Sequence, residues 1–169
     1  MSEKKKMEVF FDYSCPYCLR GHGLLEELYV NYPEIEIVWC PCEAHPHPEP
    51  GPHTDLVLQG LFFALENDVD IWEFHRRMYQ ALAKDKIDRY DVSELARRVE
   101  DILDAKAYKK ALLERKYEKV QKAMNDHAYE KAGVWYIPSF RMEGHKLDAA
   151  GGVGVTKEQL KKFMDIAKK

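Results

Sequence analysis

Apolar positions along this chain follow two different spacings, and the switches between them mark its elements. Val9, Phe10 and Phe11 form a short β-branched and aromatic run, which predicts a strand. Leu24, Leu25, Leu28 and Tyr29 then recur at helical spacing, weakened early by Gly21 and Gly23 and stopped by Pro33. Residues 34–40 are apolar at every other position and predict a second strand. A strand, a helix and a strand within about 35 residues make a βαβ unit. Its strands should lie parallel, with a right-handed crossover, and end at one edge of the sheet.

Residues 41–52 are rich in proline and histidine, so neither a helix nor a central strand can run through them. From residue 54 to 132 the spacing is helical. Thr54 is placed to cap a helix carrying Leu56, Leu61, Phe62 and Leu65; a second runs from Asp70 with Ile71, Phe74, Met78 and Leu82. Asp91 and Glu94 predict a capping box for a third, with Leu95, Val99 and Leu103. A fourth starts near Asp104, shows Leu113, Tyr117, Val120 and Met124, and stops at Gly133. These aromatic and Met stripes read as packing faces. Strand character returns over 134–142, with a turn at Glu143-Gly144, a hairpin partner over 145–150 and a loop over 151–154. Thr156 and Gln159 predict a capping box for a last helix with Leu160, Phe163, Met164 and Ala167 inward.

Composition narrows the function classes. At 169 residues, 46% hydrophobic and 33% charged, the chain suits one packed domain, or one domain with an insertion. Its net charge is −3 with Lys and Arg dispersed, so no nucleic-acid partner is expected. No apolar leader precedes the first strand and nothing reaches the length of a membrane span; the expectation is a cytoplasmic protein with no membrane partner.

In that reducing setting the four cysteines read as redox or metal chemistry rather than structural staples. Cys15-Pro16-Tyr17-Cys18 follows the first strand, and Asp12-Tyr13-Ser14 makes the turn between them. Pro16 suits the first position of a helix. That puts the Cys15 sulfur at the mouth of the helix, where open amides and the helix dipole favour thiolate over thiol. Cys18 falls one turn later, within disulfide reach. Cys40 and Cys42 stay open to three readings: a second redox pair, a zinc site with His45, His47 or His53, or two small buried residues. Asp12 and Glu43 are the candidates to take a proton from Cys18. Trp135 and Tyr136 either line a substrate groove or pack inside.

The run Phe10-Phe11-Asp12-Tyr13-Ser14-Cys15-Pro16-Tyr17-Cys18, the helical stretch, and Ile137-Pro138-Ser139-Phe140 behind it together resemble the DsbA-like thioredoxin superfamily, nearest its cytosolic FrnE-type branch. The resemblance covers nearly the whole chain. It implies an α/β fold: a thioredoxin-like domain from 1–46 and 133–169, with an all-helical domain inserted at 54–132. It implies that Cys15 is the exposed nucleophile, Cys18 the buried resolving thiol and Pro138 a cis-proline. Pro16, Tyr17, Ile137 and Pro138 would bind substrate. Two positions depart from the family: Tyr136 stands where a glycine is usual, and Cys40-Pro41-Cys42-Glu43 stands where the family reads Arg-Pro-Phe-Glu.

The implied activity is thiol–disulfide exchange with a disulfide- or thiol-containing protein or small molecule and an unnamed redox partner. No cofactor is required, although glutathione could serve as co-substrate. Two alternatives are weighed against it. Glutathione-dependent enzymes of the same fold, 2-hydroxychromene-2-carboxylate isomerase and kappa-class transferases, carry serine where Cys15 stands and lack the second cysteine. The other alternative is a Cys/His metal-binding protein.

Overall fold

The computed structural model describes residues 3–43 and 55–169. Thr54 and the three loop histidines His45, His47 and His53 therefore lie outside the described residues. Four strands form one sheet in the order β2–β1–β3–β4: β1 Lys5–Phe11, β2 Ile35–Pro41, β3 Ser139–Met142 and β4 His145–Asp148. β1 and β2 are parallel, with Phe11 opposite Pro41, so both end at one edge. β3 runs antiparallel to β1, with Ser139 opposite Phe10. The chain that leaves β1 and the chain that enters β3 therefore meet at the same end of the sheet.

Both faces of β1 are covered. Val9, Phe11 and Phe140 face α1 (Pro16–Tyr29), whose Cys18, His22 and Leu25 pack on them. α7 (Lys157–Met164) covers the same face further along, with Phe163 stacked near Phe140 at 6.3 Å. On the other face Phe10 meets the His127 ring at 5.8 Å. A central strand buried on both sides reads as an unbroken apolar run, which is why Val9-Phe10-Phe11 shows no alternation. β4, at one edge, carries His145, Lys146 and Asp148, the charged pattern that keeps an open edge from pairing with another chain.

The remaining helices are α2 (Leu56–Glu66), α3 (Ile71–Tyr79), α4 (Val92–Val99), α5 (Ala105–Leu113) and α6 (Glu118–Asp126). α3 and α6 each run on into a π-helical turn, Gln80–Lys84 and His127–Lys131. α2 is apolar almost all round, with Leu56, Val57, Leu58, Leu61, Phe63 and Ala64 buried, and it packs on α3, α5 and α6. Gly60 lies where a Cβ would come within 2.7 Å of the Tyr108 hydroxyl, so α2 and α5 approach closely there.

Several expectations are corrected. The N-terminal cap of α2 is Asp55, which accepts from the Val57 amide at 2.8 Å. Asp91 does cap α4, accepting from Glu94 N–H, but the reciprocal half of the box is missing. The Glu94 carboxylate is held instead by Arg97 and Arg98 at 2.6 and 2.9 Å. The expected fourth helix is two helices, α5 and α6, broken at Arg115, which has a φ of 53°. The break shifts the phase of the stripe, so Leu113 and Val120 end up exposed. β3 starts only at Ser139, because Pro138 has no N–H for the ladder and the Ser139 hydroxyl folds back to the Tyr136 carbonyl at 2.6 Å. The Glu143-Gly144 turn has φ of 50° and 77°, the type I′ geometry of a two-residue hairpin. The capping box of Thr156 and Gln159 is complete.

Replacing Gly60 with alanine forces a methyl group into the buried Tyr108 ring. The expected outcome is a loss of about 1–3 kcal/mol of stability, read as a lower denaturant midpoint with an unchanged slope. A midpoint equal to that of the parent would mean that α2 and α5 do not make this contact.

Candidate active site

The turn after β1 is tied to Asp12. Its carboxylate accepts from the Ser14 amide at 3.0 Å and the Ser14 hydroxyl at 2.9 Å, and its carbonyl accepts from Cys15 N–H at 3.1 Å. An Asp side chain that bonds two residues ahead builds such a turn from local sequence alone. Cys15 then occupies the position just before α1, in extended backbone, with Pro16 opening the helix. The Cys18 amide donates to the Cys15 sulfur at 3.4 Å. The Cys15 thiol is held below its ordinary value, chiefly by the Cys18 side chain and further by the Cys18 and Tyr17 amides; burial and the Asp12 charge oppose this. Cys18 is 1% exposed, and burial pushes its thiol well up. Two thiols three positions apart are thus driven in opposite directions, Cys15 by its neighbour's thiol and the open amides and Cys18 by the core.

The strand pairing brings Ile137 and Pro138 to this thiol. The peptide bond between them is cis, and the Ile137 carbonyl lies 3.8 Å from the Cys15 sulfur. Gly21 allows the approach: a Cβ there would stand 2.9 Å from the Pro138 ring. Large apolar side chains stand exposed just before Ile137 and in the loop after β4. Trp135 is 55% exposed, Tyr136 46% and Val153 55%, so the first two line the surface and do not pack in the core. Arg20 donates to the Val153 carbonyl and lies over the Tyr17 ring at 5.5 Å, joining α1 to the loop after β4.

Beneath the pair is a set of buried carboxyl groups. Asp12 is 3% exposed, Glu43 4% and Asp55 4%. Glu43 is pushed up to about 8 by burial and then by the Asp55 charge, while Asn125 partly offsets this. Asn125 brackets it, donating to its carboxylate at 2.7 Å and accepting from its amide at 3.1 Å. Asp55 is also pushed up by burial, against an ion pair with Arg89 at 2.8 Å. Cys40 and Cys42 are both buried, and burial pushes both thiols far up. Cys40 pairs with Phe10 in the ladder and its sulfur points to Glu8 at 3.8 Å, on the sheet face away from Cys18. Cys42 sits just past β2, with its amide on the Phe11 carbonyl at 2.9 Å and its thiol beside the Tyr129 hydroxyl. Among the described residues no three His, Cys, Asp or Glu side chains cluster as a metal site.

Comparison with known proteins agrees with this geometry. The family model described as thioredoxin matches residues 3–165. The chain belongs to the thioredoxin family. The uncharacterized protein YwbO of Bacillus subtilis is 27% identical, over 88% of this chain and 92% of that protein. Among solved structures, BdbD of Bacillus subtilis matches with a TM-score of 0.76 at 12% identity, covering 96% of this chain and 86% of that one. Reduced DsbA1 of Neisseria meningitidis matches at 0.72 and 16%, covering 99% and 85%. The fold is thus the DsbA-like form of the thioredoxin architecture, in which a helical segment separates β2 from β3. Among the described residues no helix is long and apolar enough to cross a membrane.

Some residues of this thioredoxin-family site carry no sequence signal. Asp55 and Asn125 come from the helical segment and look like ordinary caps and surface positions. His22 and His75 pack between α1 and α3 with Trp39, Trp72 and Tyr79. Tyr13 and His75 share a buried hydrogen bond of 2.7 Å. Burial lowers His22 to about 4 and His75 further, so both are neutral near pH 7.

In a timed alkylation near pH 6, Cys15 should react with iodoacetamide about tenfold or more faster than Cys18, Cys40 and Cys42, mapped by mass spectrometry. Equal labelling of Cys18 contradicts the geometry. The carboxyl of Glu43 gives a second check. Its folded value of about 8 lies above the unfolded value near 4.5, so the folded chain keeps a proton that the unfolded chain has released. The Glu43 contribution to stability should therefore be lost as pH rises from about 4.5 to about 8, and Glu43→Gln should make the profile shallower across that window while leaving the acidic side unchanged. Parallel stability–pH profiles for the two proteins would contradict it.

Proposed function

We propose that the chain is a thiol–disulfide oxidoreductase in which Cys15 and Cys18 form the working dithiol. The observation that carries the reading is the Cys15 sulfur at the open first turn of α1, with the Cys18 amide at 3.4 Å and the Ile137 carbonyl at 3.8 Å. In the reducing direction the Cys15 thiolate attacks one sulfur of a substrate disulfide. A mixed disulfide forms and the other substrate sulfur leaves as thiolate. Cys18 then loses its proton and attacks the Cys15 sulfur, which releases the second substrate thiolate and leaves a Cys15–Cys18 disulfide. Two electrons pass from the dithiol to the substrate; the reverse sequence oxidises a substrate dithiol.

Each neighbour has a part. Pro16 keeps the amides of the first turn open, since it has no N–H of its own to compete. Tyr17, Ile137 and Pro138 form the surface against which an extended substrate lies, with the Ile137 backbone as its hydrogen-bond partner. Trp135, Tyr136 and Val153 add an exposed apolar rim suited to a polypeptide. Asp12 and Glu43 handle the Cys18 proton. The raised value of Glu43 suits exchange near neutral pH, and the Asp12 amide lies against the Cys18 sulfur. The wider assignment is a cytosolic, FrnE-type enzyme whose thioredoxin-like part spans 1–46 and 133–169 around a helical domain at 54–132. It needs no resident cofactor, and glutathione is a candidate small-thiol partner. The retained thiols at Cys15 and Cys18 favour this reading over the glutathione-dependent isomerase or transferase. Cys40 is set apart from Cys18 by the sheet, so direct exchange between Cys40 and the Cys15–Cys18 pair requires rearrangement.

The test is reduction of the insulin interchain disulfides with a dithiol donor. Cys15→Ser should cut the rate by about 10²-fold or more, back toward the uncatalysed level. Cys18→Ser should accumulate a mixed disulfide that added reductant releases. A Cys15→Ser protein that keeps the parent rate refutes the proposal.

A further inference from the structure

The sheet face that does not carry Cys15 and Cys18 holds an unassigned concavity of about 590 Å³. It lies between β1, the β3–β4 hairpin and the π turn that follows α6. Lys6, Glu8, Lys131, Arg141 and Lys146 line it, with His127 beside them. Alternation along β1 and β3 puts Lys6, Glu8 and Arg141 opposite Val9, Phe11 and Phe140, which pack toward Cys18. The cavity therefore stands apart from the proposed substrate groove. Its volume falls within the range of small-molecule sites, roughly 300–1,000 Å³.

Its charge is the reverse of the whole chain's. The protein carries −3, yet four cationic side chains meet three carboxylates here: Glu8 and Glu143 in the lining, and Asp148 paired with Arg141. Glu8 is already engaged by His127 at 2.7 Å. Among the described residues Lys6, Lys131 and Lys146 have no recorded ion pair. Exposed lysines alone are ordinary, but Arg141 is not. It is 8% exposed. Its Nε donates to the Ala132 carbonyl at 3.0 Å, and Nη1 donates to the Phe140 carbonyl at 3.0 Å and meets Asp148 at 2.7 Å. Nη2 is buried with no partner. A buried guanidinium N–H left unmatched is costly, and an anion oxygen is its natural partner.

We propose that this cavity binds a small, multiply charged anion bearing phosphate or carboxylate groups, with Arg141 supplying the buried contact and Lys6, Lys131 and Lys146 neutralising the remaining charge. The site is independent of the thiol chemistry: the ligand would meet the sheet's far face, and Cys15 would not touch it.

The experiment is an amide chemical-shift titration of the full chain at low salt with two probes, inorganic pyrophosphate and citrate. Shifts should concentrate at 6–8, 127–133 and 141–146 and leave 15–18 unmoved. Tighter binding of pyrophosphate assigns a phosphate ligand; tighter binding of citrate assigns a carboxylate one; either supports the proposal. The double variant Lys131→Glu/Lys146→Glu changes only exposed side chains and should weaken binding about tenfold or more, a loss of about 1.4 kcal/mol, with the Cys15 alkylation rate unchanged. Arg141→Lys, checked first for an unchanged fold by circular dichroism, should weaken it by a similar factor, because a lysine cannot supply the fixed planar donors. No saturable binding of either probe by about 10 mM, near the weak end of specific affinity, overturns the proposal. So does binding that the double variant leaves intact, or shifts spread evenly over all surface lysines.

Discussion

The antiparallel pairing of β3 on β1 is the constraint from which the site follows. It sets Ser139 opposite Phe10 and so delivers Ile137 and Pro138 to the same end of the sheet as Cys15. The parallel pairing of β2 on β1 brings Cys42 and Glu43 there as well. Neither Cys15 nor Pro138 holds the other in place directly. The backbone ladder does so, and Gly21 clears the space in which the proline ring meets α1. A shift of register by one residue would turn Val9 and Phe11 away from α1 and leave Cys15 facing a different carbonyl.

Around that constraint the protein separates ionisable groups by environment. Cys15 faces open amides and is lowered; Cys18, one turn deeper, faces the core and is raised. Beneath them three carboxyl groups are buried within one another's field, and beside them two histidines are buried neutral. Charging some of these groups opposes stability: Glu43 and Asp55 as pH rises, His22 and His75 as it falls. The structure closes over these groups with the aromatic wall of Trp39, Trp72, Tyr13 and Tyr79, which joins the sheet to α3.

The two sheet faces carry different chemistry. One presents the Cys15 sulfur beside the Ile137 carbonyl, where we propose thiol–disulfide exchange. The other presents cations around a buried guanidinium, suited to a small anion. The strand that separates them, β1, contributes to both: Val9 and Phe11 on one side, Lys6 and Glu8 on the other.

Much of this was present in the sequence, because local rules govern it. The Cys-Pro-Tyr-Cys turn into α1, the βαβ unit, the complete cap at Thr156 and Gln159 and the two-residue hairpin at Glu143 and Gly144 depend on backbone propensity and on neighbours a few residues away. Tertiary structure decided what depends on distant partners. It broke the fourth helical stripe at Arg115, and it took Glu94 from its expected box and gave it to Arg97 and Arg98. It put Trp135 and Tyr136 outside and placed Cys40 on the face away from Cys18. It also gathered Asp55, Asn125 and Arg141 from remote segments into two sites. Burial and charge are sums over everything that surrounds a group, and spacing along a chain encodes only the part contributed by its near neighbours.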